Sequence, residues 1–185
     1  MKVAMSKFIQ RISFFAAASL SIISPLHAAP SPDMVGKSYL VSWTESRTGR
    51  VNGSDIKSTS VSYQLQIYVG ATGRPFTRLT SSSRGGTSSN EQVGGSGESL
   101  GGGVRTVRAD GNTITLQANY GNFARSGRID VSPGGSGCSA QMSVGKEPGS
   151  SPKPYRNAAG NLIEIHTVSV SSTSCSVQQG NVFGR

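Results

Sequence analysis

Glu164 and His166 are the strongest candidates for catalysis in this sequence. They are two residues apart, so on a β-strand both side chains lie on one face. A carboxylate beside an imidazole can orient the ring and raise its pKa, which suits acid–base catalysis. The alternative is a pair on the solvent face of a strand or at a bulge. We assign no catalytic residue and keep this pair as a weak candidate.

Other catalytic and binding motifs are absent from the sequence or poorly placed. Ser143 and Lys146 match S-x-x-K, but on a predicted strand residues three apart lie on opposite faces. His166 is the single histidine after residue 29, which excludes a multi-histidine metal site. The glycines match neither a dinucleotide fingerprint nor a phosphate loop. We predict no cofactor and no metal, and a non-catalytic protein is favoured over an enzyme.

Residues 1–29 have the three parts of a cleaved signal peptide. A basic start is followed by an apolar run and then by small residues: Lys2, Lys7 and Arg11, residues 12–23, and Ala28 and Ala29. Cleavage would place the remainder, residues 30–185, in the periplasm or outside the cell. We expect it not to span a membrane.

The net charge of the full sequence is +9, and the predicted signal peptide holds three of the 18 basic residues and none of the nine acidic ones. Residues 30–185 therefore carry +6, which favours anionic partners. Arg105 and Arg108 are three apart, as are Arg125 and Arg128, so each pair divides between two strand faces. No basic stripe results, and we predict no nucleic acid. Anionic envelope polysaccharide or another exported protein remains a candidate partner.

Residues 30–185 have the length of one domain with a single core. Both cysteines, Cys138 and Cys175, lie in this part. An exported chain meets an oxidising compartment, and close Cys spacing for a metal or redox site is lacking. We predict a Cys138–Cys175 disulfide.

Alternating apolar and polar residues predict strands along most of the domain. The longest alternation is residues 61–69, which we take as the central strand. Residues 36–45 form another, with Trp43 as a core anchor. No segment has helical periodicity, so we predict an all-β fold: a single antiparallel β-sandwich or up-and-down β-barrel of about eight strands.

Glycine-containing turns predict two hairpins with defined registers. A turn centred on Thr72 and Gly73 would place Val69 opposite Phe76. Asp110-Gly111 would place Val107 opposite Ile114. The same register sets Arg105 opposite Leu116, a conflict that a bulge near Gly103 could resolve.

Turn-forming and small polar residues predict the irregular parts of the domain. We expect a loop over residues 48–60, and a mobile Gly/Ser-rich loop over residues 81–103 that is either a plain insertion or functional. At the end of the chain we predict a hairpin, with strands over residues 162–170 and 175–183 and a turn near Ser172-Thr173. We also predict a bend or bulge around His166.

Three short sequences carry a resemblance: residues 173–177 (TSCSV), residues 180–183 (GNVF) and residues 145–147 (GKE). They resemble the C-terminal part of small uncharacterised exported proteins of soil proteobacteria, over about the last third of the chain. Residues 39–45 (YLVSWTE) resemble the same proteins more weakly. The resemblance implies export and brings no activity, ligand or catalytic residue.

These observations indicate a non-catalytic exported binding or structural protein of the cell envelope. A small secreted hydrolase inhibitor, or an enzyme that uses Glu164 and His166, is the alternative. The pair would lie in a concave site if the protein were an enzyme.

Overall fold

The computed structural model describes residues 28–84, 86–93, 96–98, 104–120, 123–146, 153–157 and 159–184. These ranges form eleven strands: β1 (Lys37–Val51), β2 (Ser54–Val69), β3 (Pro75–Ser83), β4 (Gly86–Val93), β5 (Ser96–Glu98), β6 (Val104–Asp110), β7 (Thr113–Tyr120), β8 (Phe123–Val131), β9 (Cys138–Lys146), β10 (Tyr155–Arg156) and β11 (Leu162–Gln179). The predicted all-β fold is confirmed. The predicted signal peptide, apart from Ala28 and Ala29, lies outside these ranges. In the part of the chain described, no helix is long and apolar enough to cross a membrane.

The strands form two antiparallel sheets. One has six strands in the order β10-β11-β1-β2-β3-β4, and the other has five in the order β5-β6-β7-β8-β9. Sequential strands are neighbours within each sheet, except that β11 returns to pair with β1. We expected about eight strands; β4 and β5 lie in the segment that we had predicted to be a loop, residues 81–103.

The core lies between the apolar faces of the two sheets. In β2 the odd-numbered side chains from Tyr63 to Val69 are buried, as their alternation predicted, and Trp43 of β1 is 2% exposed. The two sheets contribute to one hydrophobic cluster: Met34, Tyr39, Val41, Trp43, Tyr63, Leu65, Ile67, Val69 and Leu79 from the first half of the chain, and Val107, Ile114, Leu116, Ala118, Ile129 and Val131 from the second. The core therefore spans the whole domain.

The predicted loop over residues 48–60 is wrong. β1 continues to Val51 and β2 starts at Ser54, so only Asn52 and Gly53 form the connection. Both have positive φ, 50° and 82°, as a type I′ hairpin turn requires. The Asn52-Gly53 pair is typical of such a turn. We had instead interpreted these two residues as part of a longer loop.

Two predicted hairpins form, but with shifted registers. Val69 pairs with Pro75 rather than Phe76, because the chain reverses through a turn closed from Gly73 N to Gly70 O (2.9 Å). Phe76 consequently lies on the outer side of its strand.

In the β6–β7 hairpin, Val107 pairs with Leu116 rather than with Ile114. The turn is centred one residue later than predicted, on Gly111 and Asn112, and Gly111 has φ 54°. The register shift is two residues, so every side chain keeps its face. Arg105 is buried opposite Ala118, and the bulge proposed near Gly103 lies outside the described residues.

The predicted loop over residues 81–103 is replaced by strands wherever the structure describes it. β3 extends to Ser83, β4 pairs with β3 along its length, and β5 pairs with β6. Serine and threonine pair across this hairpin, for example Ser82 Oγ with Thr87 Oγ1 at 3.1 Å. Backbone pairing and hydroxyl contacts thus order a segment that offers little apolar surface.

The predicted final hairpin is also wrong, because β11 runs unbroken for 18 residues beside β1. Ser172 and Thr173 do not reverse the chain; they lie at a register shift where Ser172 has φ 53°. Cys175 therefore pairs with Val41 of β1. A second shift leaves His166 as the extra residue of β11, which confirms the predicted bulge at that position.

Cys138 and Cys175 form the predicted disulfide, with their Cα atoms 5.7 Å apart. Cys138 begins β9 and Cys175 lies in β11, so the bond joins the two sheets. It holds β9 beside β11, two strands that share no backbone ladder among the described residues.

Replacing both cysteines with serine is expected to lower the free energy of unfolding by about 4 kcal/mol, because a cross-link between residues this far apart restricts the unfolded chain. Urea unfolding followed by circular dichroism measures the change. The matched control replaces the neighbouring exposed residues Ser139 and Ser176 with alanine. A cysteine variant as stable as this control would contradict the prediction.

Candidate functional site

Glu164 and His166 lie together on an exposed part of β11. The His166 Nε2 atom is 3.7 Å from Glu164 Oε2, and the two side chains are 48% and 31% exposed. Ile165 between them is buried on the inner side. The pair has the predicted proximity, but it does not line the cavity described below.

Ser143 is a surface residue. Its Oγ atom lies 2.7 Å from Ser126 Oγ on the exposed side of the β8–β9 pair. The Lys146 side chain is not among those that the structure describes. Within the described ranges no group of three or more His, Cys, Asp or Glu side chains could hold a metal.

The inner side of the domain instead contains a buried ion pair between the two sheets. Glu45 of β1 and Arg125 of β8 meet in a bidentate arrangement, with Arg125 Nε 2.6 Å from Glu45 Oε1 and Arg125 Nη2 2.9 Å from Oε2. The side chains are 0% and 5% exposed. Such a two-pronged contact fixes the relative position of the partners as well as their charge.

Arg47 is a second guanidinium on the same carboxylate. Its Nη2 donates to Glu45 Oε2 at 2.9 Å and also to the Tyr63 hydroxyl. Its guanidinium carbon lies 6.0 Å from the centre of the Tyr63 ring, which stacks on Trp43 at 5.0 Å. Two cations therefore share one carboxylate, and an aromatic ring lies beside one of them, Arg47.

The charge state of Glu45 follows from these contacts. Burial alone would raise its pKa, but hydrogen bonds and charge from Arg125 and Arg47 outweigh burial and hold the pKa of Glu45 below its usual value. Glu45 is therefore ionised at neutral pH. The formal charge of Glu45, Arg47 and Arg125 together is +1.

A third arginine is also buried in the domain. Arg105 of β6 is fully buried, donates from Nη2 to Thr77 Oγ1 at 3.1 Å, and has its pKa lowered to about 10 by burial. Ala118 pairs with both Arg105 and Arg125 in the sheet. Its small side chain leaves room for the two large ones.

Arg47, which contacts the buried Glu45, also lines a cavity of about 480 Å³. We call this cavity the end cavity. The strands β1, β2, β3, β10 and β11 contribute its lining, which is Arg47, Val51, Ser58, Thr59, Ser60, Val61, Ser83, Arg84, Tyr155, Asn157, Ile163 and Ile165. The volume is in the range of small-molecule sites, about 300–1,000 Å³.

The lining of the end cavity has a definite chemical character. Val51, Val61, Ile163 and Ile165 form apolar walls, and Arg47 and Arg84 supply two positive charges. No acidic residue is among the described residues that line it. Tyr155 at the cavity is 45% exposed, the one large apolar side chain so exposed in the described ranges.

A second, smaller cavity of about 320 Å³ has a polar character. Its lining is mostly hydroxyl and amide side chains from the outward positions of the strands: Ser42, Thr44, Ser62, Gln64, Thr80, Ser82 and Ser172, with Trp43 and Tyr63. It holds no charged residue among those described, so it is the weaker candidate.

Our sequence reasoning missed Glu45, Arg47 and Arg125, although a signal was present. Glu45 and Arg47 continue the odd-numbered apolar phase of Tyr39, Val41 and Trp43, and Arg125 has buried neighbours two residues away on each side. Opposite charges in the apolar phase of two strands indicate a buried ion pair. Arg105 and Arg108 lie on opposite faces as predicted, and so do Arg125 and Arg128, but the burial of Arg105 and Arg125 was not predicted.

Replacing Glu45 with glutamine is expected to lower the free energy of unfolding at neutral pH by about 3–5 kcal/mol, because buried guanidiniums lose their carboxylate. Glu164→Gln is the matched control, with a change of about 0.5 kcal/mol or less at a partly exposed site. Urea unfolding of both variants measures the difference. Equal stabilities would show that the ion pair does not stabilise the fold.

The same comparison has a predicted pH dependence. The folded-state pKa of Glu45 is lowered from 4.5, so its contribution is fully present above that pH and is lost as pH falls through the folded value. The difference between the stabilities of the wild type and Glu45→Gln should therefore stay constant from neutral pH to about pH 4.5 and narrow as the pH falls further. A difference that already narrows above pH 4.5 contradicts the assignment.

The comparisons with known proteins add no relative. No protein-family model matches the chain, and no curated protein or solved structure matches it either.

Proposed function

We propose that this chain is a non-catalytic binding protein of the cell envelope whose ligand is a small molecule held in the end cavity. The observation that carries the proposal is the cavity itself, which combines apolar walls with two arginines and an exposed tyrosine. Binding sites for small molecules are mostly apolar concavities with a few polar groups that orient the ligand.

The position of the acid–base candidates supports binding over catalysis. Glu164 and His166 lie on the exposed side of β11, whereas Ile163 and Ile165 face the cavity. A general base must come within hydrogen-bonding reach of its substrate, about 3 Å. A ligand in the end cavity is separated from His166 by the strand itself.

Export is the second part of the proposal. The basic, apolar and small-residue segments of residues 1–29 favour a signal peptide. The Cys138–Cys175 disulfide agrees with this, because disulfides persist in oxidising compartments such as the periplasm. The proposed site of action is the periplasm or the cell exterior.

Filling the end cavity tests the binding function. Wild-type protein is expected to raise the fluorescence of N-phenyl-1-naphthylamine, a neutral probe that brightens in apolar surroundings. Ile163→Trp places a large side chain in the cavity and should abolish the increase. Ser169→Trp is the matched control, since it adds the same side chain at an exposed position of β11 and should leave binding intact.

Circular dichroism establishes that each variant is folded, and Val61→Phe replaces Ile163→Trp if that variant does not fold. Wild-type protein that leaves the probe dark would overturn the proposed function. Equal fluorescence in wild type and the cavity-filling variant would also overturn it, because the probe would then bind elsewhere.

Intact-mass measurement tests export. Expression of the full chain with its own residues 1–29 should yield, in the periplasm or medium, a protein that begins at Ala29 or Pro30. A full-length product retained in the membrane fraction would contradict the proposal.

A further inference from the structure

We infer that the ligand of the end cavity is an amphipathic anion: a small molecule with one acidic head group and an apolar body. This inference rests on the proposed function and names the class of ligand. It follows from the charge, the fixed geometry and the surface chemistry of the cavity lining.

Arg47 is the inner end of the proposed head-group site. It lines the cavity, yet its side chain is only 11% exposed, and Glu45 and Tyr63 hold it in place. A guanidinium fixed in this way is organised before a ligand arrives, so little conformational entropy is lost on binding.

The charge around Arg47 favours an anion. Glu45 is also engaged by both prongs of Arg125, so one negative charge is divided between two guanidiniums. The group retains a formal charge of +1 next to a partly apolar cavity. A ligand carboxylate at Arg47 would accept a charge-assisted hydrogen bond, which is stronger than a hydrogen bond between neutral groups.

Arg84 and nearby hydroxyls form the outer part of the site. Arg84 is exposed at the cavity, where it can attract an anion before binding. Ser58, Thr59, Ser60 and Ser83 also line the cavity and can donate hydrogen bonds to a carboxylate. The described residues of the lining include cations and hydroxyl groups but no acidic side chain, and this composition suits an acidic head group.

The remaining walls select an apolar body. Val51, Val61, Ile163 and Ile165 offer no hydrogen bonds from their side chains, so the many hydroxyl groups of a sugar would lose their water without replacement. An alkyl or aryl group would gain from the same burial, because its apolar surface is removed from water. The cavity therefore fits an organic acid better than an acidic sugar.

Isothermal titration calorimetry with three probes separates these contributions. Octanoate carries both the acidic head and the apolar body, 1-octanol carries the same body without charge, and galacturonate carries the charge on a sugar. We expect octanoate to bind about tenfold more tightly than 1-octanol, the effect of one charge-assisted hydrogen bond. Galacturonate should bind more weakly than either.

Arginine variants locate the head group. Arg84→Ala should weaken octanoate binding about two- to fivefold, as expected for an exposed charge, and leave 1-octanol unaffected. Arg47→Gln should weaken octanoate about tenfold while Glu45 keeps its contacts with Arg125. Arg128→Ala, an exposed arginine on the other sheet, is the control and should change neither affinity.

The outcomes distinguish this inference from the proposed function. Equal affinities for octanoate and 1-octanol, both lost in Ile163→Trp, would retain the cavity and overturn the anionic head group. Tighter binding of galacturonate would overturn the apolar body. If Arg47→Gln does not fold, an unchanged octanoate affinity in Arg84→Ala overturns the inference. Absence of all binding by wild-type protein overturns the proposed function as well.

Discussion

The contact between Glu45 and Arg125 is the constraint on which much of this structure depends. It lies between the two sheets and is almost wholly removed from solvent. Buried charges are tolerated only when they are paired and hydrogen-bonded, and both oxygens of Glu45 meet that condition. Sliding one sheet against the other would separate the two charges, so the pair favours a single alignment of β1 and β8.

Glu45 of this pair also holds Arg47, one of the two arginines that line the end cavity. Arg125 neutralises Glu45 from the five-stranded sheet, and Arg47 then approaches the carboxylate from β1 itself. Tyr63 restrains Arg47 from β2, and the stacked Trp43 in turn packs against Tyr63. Interior packing and surface recognition are thus linked by one carboxylate, since the side chain that it positions is also part of the cavity lining.

A hairpin turn and a bulge bring residues to the lining of that cavity. The Asn52-Gly53 turn allows β1 and β2 to extend well past Glu45, and this extension supplies Val51 and Ser58 to the lining. The bulge at His166 changes the phase of β11, so that Ile163 and Ile165 face inward together with Val51. Without that extra residue, the alternation that places Val168 inward would direct Ile165 to the opposite face.

The sequence by itself determined the fold class, the buried phase of the long strands and the disulfide. The alternation of residues 61–69 needed no long-range information, because a strand with one apolar face must bury that face.

Only the tertiary structure decided the registers and the site. Val69 faces Pro75 because of the local closure at Gly73, and β11 is continuous because β1 offers a partner along its length. Glu45 and Arg125 are 80 residues apart, so their attraction takes effect only when two sheets bring them together. Alternation could indicate that each side chain points inward, whereas the cavity beside them depends on which strands pack against one another.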